Sequence, residues 1–134
     1  MFFGNQRHSL IGERTSPPRS YAFAARDRID ETEQRIRSVH DPRFHYIRTL
    51  STGPTFASLN RYKEKCFPIY PLMRQLLAEG KLTGAPLELM QRTGPGEELY
   101  DLRSDPHEIK NLAASTQPEH REALIRLRAA LDTW

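Results

Sequence analysis

The 134 residues contain one cysteine, Cys66, so no internal disulfide can form and a cysteine-based zinc site has no second ligand. Stability must come from packing. The five histidines, at 8, 40, 45, 107 and 120, show neither His-x-His nor His-x-x-x-His spacing, and no metal site is read from them. Long apolar runs are missing too, none approaching the roughly 20 residues a membrane-spanning helix requires, so no membrane partner is expected. The start, Met1-Phe2-Phe3-Gly4-Asn5-Gln6, has no basic segment ahead of an apolar stretch, and nothing in it supports export of this chain by itself. Repeats and low-complexity tracts are absent.

What is present fits one soluble globular domain: 37% hydrophobic residues, 28% charged residues and a mean hydropathy of −0.69. Lysine is scarce. Four lysines stand against sixteen arginines, and the net charge is +3. The guanidinium fork suits oxyanions, although an arginine-rich composition also follows from codon usage alone. Basic residues outnumber acidic ones nine to six over 1–50 and six to three over 51–95, whereas acids lead eight to five over 96–134. The excess is too thinly spread for a nucleic-acid stripe, and no nucleic-acid partner is expected.

Residues 1–20 lack periodicity and read as an irregular lead-in. Tyr21 to Ala25 places two aromatics at alternate positions, the pattern of a half-buried strand. Arg35 to His40 and Phe44 to Leu50 flank Asp41-Pro42-Arg43, whose Asp and Pro favour a type I turn, so a hairpin is expected there. Residues 51–68 read as a long loop. Pro71 opens a helix with Leu72, Met73, Leu76 and Leu77 on one face, and Gly80 ends it. Ala85 to Arg92 adds a short helical segment, and Glu98 to Leu102 alternates as a last strand. Asp105-Pro106-His107-Glu108 carries N-cap, proline and capping-box signals for a short helix to about Leu112. A final helix is expected behind a Thr116 to Glu119 capping box, with Leu124, Leu127, Leu131 and Trp134 at helical spacing and Glu122 and Arg126 paired. The fold class is therefore α+β: a small antiparallel sheet of about four strands packed against a C-terminal helix.

Arg26-Asp27-Arg28-Ile29-Asp30-Glu31 carries the strongest functional signal, five charges in six residues directly after a strand. Interleaved guanidinium and carboxylate groups could hold sugar hydroxyls and sulfate; the competing reading is a solvated turn with local ion pairs. Cys66-Phe67-Pro68-Ile69-Tyr70 begins like the Cys-x-Pro-x-Arg signature of cysteine converted to formylglycine, but Tyr70 stands where arginine belongs. Thr15-Ser16-Pro17-Pro18-Arg19 keeps the proline and arginine and starts with threonine. Neither is read as the modified site, and Cys66 is expected as a half-buried or inert thiol. Glu97 and Glu98 neighbour each other on a strand, so they point to opposite faces and cannot work as a carboxylate pair.

Four stretches, PPRSYAFAARDRIDE at 17–31, IRSVHDPRFHYIRTL at 36–50, EGKLTG at 79–84 and EELYDLRSDPHEIKNLA at 97–113, followed by LRAALDTW, give the chain its family likeness. From Pro18 to Trp134 it resembles the C-terminal region of sulfatases of the heparan N-sulfatase (sulfamidase) and arylsulfatase type, in the alkaline-phosphatase-like superfamily. The resemblance covers about the last quarter of such an enzyme. It implies a four-stranded antiparallel subdomain with a packed terminal helix over 21–134, lying against a large catalytic domain. It also implies that the calcium ligands and the formylglycine nucleophile belong to that missing domain, so this chain alone is expected to be inactive. Sulfated carbohydrate, including glycosaminoglycan, is the implied substrate of the parent enzyme, whose compartment stays open. By the same resemblance Arg26, Asp27 and Arg28 face the pocket mouth as candidate substrate-binding residues, followed by Asp30 and Glu31. Ile29, where methionine is usual, and His45, where lysine or arginine is frequent, are departures that leave the substrate open. A stand-alone binder of sulfated glycans and a structural remnant are the alternatives.

Overall fold

The computed structural model describes residues 19–58 and 60–134. Most of the expected lead-in, and the Thr15 to Pro18 part of the second nucleophile-like motif, lie outside the described residues. The element order is β1 (Ala22–Ile29), β2 (Thr32–His40), β3 (Phe44–Pro54), α1 (Arg61–Cys66), α2 (Ile69–Ala78), α3 (Gly84–Gln91), β4 (Thr93–Asp101) and α4 (Pro118–Thr133). The strands pair antiparallel in the order β1-β2-β3-β4, with the three short helices inserted between β3 and β4. The fold is thus the expected four-stranded sheet with a terminal helix. No helix among the described residues is long and apolar enough to cross a membrane.

Strand periodicity decides which side chains α4 covers. Phe23, Val39, Tyr46 and Leu99 are successive cross-strand partners and so lie on one face. Val39, Tyr46 and Leu99 are fully buried there against Ala123, Leu127 and Leu131 of α4, with Phe44 closing the cluster. Burying side chains of this size contributes about 1.5–3 kcal/mol each, and this layer is the core. Leu124 packs partly buried at its margin, while Trp134 is half exposed and stacks on Phe23 at 5.2 Å.

The Asp41-Pro42-Arg43 turn forms as expected, with His40 opposite His45. Asp41 is buried, and its carboxylate accepts from the backbone N–H of Arg43 at 2.7 Å, that of Phe44 at 2.6 Å and the Arg126 guanidinium at 2.6 Å. Arg43 in turn donates to both carboxylate oxygens of Asp101 at the end of β4 and to Glu119 in the first turn of α4.

Several expectations are corrected. The 51–68 stretch is no loop, because β3 runs on to Pro54 and Asn60 caps α1. Gly94 accommodates that extension: a Cβ there would meet the Ser51 carbonyl oxygen at 2.2 Å. The second helix begins at Ile69 instead of Pro71, though Gly80 does end it with φ +66°. No helix forms from Asp105. Glu108 takes φ +54°, which ends any helical turn, and the Asp105 carboxylate accepts from Lys110 N–H at 2.8 Å instead. The expected Thr116 capping box does not form: Gln117 holds the N-cap position of α4 without a side-chain cap hydrogen bond, and Glu119 is drawn to Arg43. Arg126 pairs with Asp41 instead of Glu122, and Cys66 is an exposed free thiol.

Burial opposes ionisation of Asp41, but the two backbone donors and Arg126 outweigh it and hold its carboxyl below the usual range; Arg43 does the same for Asp101. Carboxyls depressed in the folded state add stability that is complete above the ordinary carboxylate pKa, near 4, and lost as pH falls through their lower folded values. The melting temperature is therefore expected to hold steady from neutral pH to about pH 5 and fall on acidification below about pH 4. Asp101→Asn should lower it at neutral pH and flatten the acid-side decline, whereas a midpoint that rises on acidification contradicts the assignment.

A candidate ligand pocket at the hairpin tip

The Arg26 to Glu31 segment is mostly strand, not the loop expected. β1 continues through Arg26, Asp27 and Arg28 to Ile29, a register shift falls between Arg26 and Arg28, and only Asp30 and Glu31 form the turn. Asp30 sits at φ +50°, a conformation that aspartate tolerates better than most side chains.

Each of the five charged residues has a partner within the fold. The half-buried Arg26 donates to the buried Gln34, which donates on to the carbonyl of Thr55; burial lowers the Arg26 pKa, and its Nε has no partner among the described residues. Asp27 pairs with Arg37 at 2.7 Å, and Arg28 with its cross-strand partner Glu33 at 2.6 Å. Asp30 accepts from the Asn60 amide at 3.0 Å. Glu31 accepts from the backbone N–H of Arg61 at 2.6 Å, which holds its carboxyl below the usual range. Asp30 and Glu31 thus fasten the hairpin tip to the first turn of α1.

Asn60 is the hinge of that joint. It is fully buried, its side-chain oxygen accepts from Lys63 N–H at 2.9 Å as the N-cap of α1, and its amide reaches both Asp30 and the carbonyl of Ile29. Beside it opens a pocket of about 620 Å³ whose walls include Ile29, Tyr62, Phe67, Ile69 and Tyr70, with Asp30 and Lys63 as charged lining groups. The rings brace one another: Tyr62 meets Phe67 edge-on at 5.8 Å, Phe67 meets Tyr70 at 6.5 Å, and Phe56 stacks on Tyr70 at 5.2 Å. The Lys63 ammonium lies 5.4 Å from the Tyr70 ring centre.

An apolar, aromatic pocket with a few polar groups at its rim is suited to holding a ligand. Among its lining residues no nucleophile is paired with a base. Among the described residues no three His, Cys, Asp or Glu side chains converge as a metal-binding group. The strand and turn charges were visible in the sequence, but Asn60 and the aromatic pocket were not; the available signal was Asn60 ahead of Glu64, an N-cap inside what read as a loop.

Asn60→Ala removes the cap and both amide bonds and should lower stability by about 1–2 kcal/mol. Hydrogen exchange at the Lys63 amide should accelerate while amides of the β2–β3 core do not. Equal acceleration in both places contradicts the local role given to Asn60.

Comparison with known proteins bears on the parent molecule. No protein-family model matches the chain. An ulvan-active sulfatase of Formosa agariphila is 39% identical over 129 residues, which are 96% of this chain and 21% of that protein, so the chain spans about a fifth of its curated relative. A crystal structure assigned as a sulfatase from Bacteroides thetaiotaomicron superposes with a TM-score of 0.49 at 24% identity, covering 90% of this chain and 17% of the other. Over nearly its whole length, this chain is homologous to part of a sulfatase.

Proposed function

We propose that the chain is the C-terminal subdomain of a sulfatase that hydrolyses sulfuric ester or sulfamate groups of a sulfated sugar. The observation that carries this reading is the 39% identity to the ulvan-active sulfatase across 96% of the chain. The relative's named activity makes ulvan the first substrate to try; a heparan N-sulfatase-like specificity is the finer alternative. In this reading the formylglycine nucleophile and the calcium site lie on the part of the enzyme outside these residues. The subdomain contributes a wall of the substrate pocket, built from the β1–β2 tip and the aromatic pocket braced against it.

The role of each candidate residue follows from its bonds. Arg28 and Asp27 have side chains about 60% exposed, so their ion pairs are weak and can be exchanged for ligand contacts. Arg26, Asp30 and Glu31 act by positioning, because their partners are Gln34, Asn60 and the start of α1. A stand-alone anion-binding module fits less well. Arg43, Arg74, Arg92, Arg126 and Arg128 are each engaged by carboxylates of the chain itself, which commits these guanidiniums to the fold.

The pure chain is expected to release no sulfate from an aryl sulfate or from ulvan. Substituted for the matching 129-residue segment of the Formosa agariphila sulfatase, it should restore sulfate release that a version lacking the segment has lost. Turnover by the isolated chain, or a folded chimera with no activity, overturns the reading.

A further inference from the structure

On the α4 side of the sheet lies a second cavity, about 370 Å³, lined by Ala25, Arg37, Arg48, Leu50, Leu131 and Trp134. Arg37 and Arg48 are directly opposed partners across β2 and β3. Like charges in that relation repel, an arrangement sheets ordinarily avoid. Both guanidiniums are nevertheless held in place by neutral acceptors: Arg37 donates to the carbonyls of Arg26 and Ile36, and Arg48 to the Tyr46 hydroxyl.

Their remaining edges are given to separate carboxylates, Asp27 at 2.7 Å from Arg37 and Asp132 at 2.5 Å from Arg48. Those carboxylates are 63% and 55% exposed while the guanidiniums are 28% and 24% exposed, so the carboxylate is the half of each pair that an outside anion can replace. Glu97 lies 3.9 Å from Arg48 but is already engaged by Arg128 and the Tyr46 hydroxyl. Around the same cavity Leu50 and Trp134 each leave about half their surface uncovered, and stacking on Phe23 holds the indole plane.

We propose that this cavity binds a sulfate ester of a saccharide, with Arg37 and Arg48 converging on the sulfate oxygens and the apolar face of the sugar ring lying on Trp134 and Leu50. A single oxyanion shared by both guanidiniums offsets their mutual repulsion, which two separate carboxylates only screen. The choice of a sulfated saccharide rests on the functional reading above, whereas the arginine pair and its affinity for an oxyanion do not.

Trp134 is the chain's sole tryptophan, so its fluorescence reports on this cavity directly. The full chain is titrated with dextran sulfate, unsulfated dextran and sodium sulfate. Dextran sulfate should change the emission, with an affinity that falls as salt rises, and unsulfated dextran should not. Sodium sulfate should compete only at much higher sulfate concentration. Arg37→Ala and Arg48→Ala should each weaken binding about tenfold or more. Arg37→Lys, which keeps the charge and loses the fork, should also weaken it. Asp132→Asn removes the internal competitor and should tighten binding, while Glu88→Gln, an equal change of charge elsewhere, should not. Wild-type affinity in the arginine variants, equal gains from the two acid variants, or equal binding of plain dextran overturns the proposal. So does sodium sulfate that matches the polymer, since the ring contact then adds nothing. The assay reads no turnover, so these outcomes leave the sulfatase reading to the chimera.

Discussion

A buried carboxylate must be satisfied or it neutralises, and the Asp41 carboxylate is satisfied from three directions at once. Two of its donors are backbone N–H groups of its own turn, which fixes the β2–β3 hairpin. The third is Arg126, which fixes α4 over the sheet. Arg43 repeats the arrangement with opposite sign by joining Asp101 on β4 to Glu119 on α4. One turn thereby sets the positions of three strands and the terminal helix. Removing a member would strand a buried charge, a larger effect than losing an exposed pair.

The layer between α4 and the sheet is apolar at one end and ionic at the other. Leu127 lies among Val39, Tyr46 and Leu99; beyond it the Tyr46 hydroxyl, Glu97, Arg48, Arg128 and Asp132 form a connected set. Several of the arginines that the composition suggested for oxyanions, Arg43, Arg74, Arg92, Arg126 and Arg128, pair with carboxylates inside the fold. The cross-strand pair Arg37 and Arg48 differs in that its carboxylate partners are exposed and its cavity is partly lined by uncovered apolar surface.

Elements with strong local signals could be read before the structure was known. The Asp41-Pro42 turn, the strands on either side of it, the last strand and the Gly80 stop all rest on residues whose preferences and tertiary surroundings agree. The Asp105 signals were equally clear and failed, because Leu112 N–H bonds the carbonyl of Leu99 and the Asn111 side chain accepts from Leu99 N–H, tying that segment along β4. Charges at 26–31 were visible, but not that Asp30 and Glu31 would be absorbed by α1. Tyr62, Phe67 and Tyr70 share no single period, so no sequence pattern could show that they line one pocket.

By itself the sequence determined what depends on neighbours along the chain: alternation within strands, turn chemistry, the helical spacing of Leu124, Leu127 and Leu131, and the absence of disulfides. The four-stranded sheet under a terminal helix follows from those patterns, since each apolar face needs a cover. Only tertiary structure decided which charge meets which, as with Arg126 choosing Asp41 over Glu122 and Arg37 standing opposite Arg48. Such partners lie tens of residues apart in sequence or on different elements, and their pairing depends on register, burial and competition among several equally suitable groups.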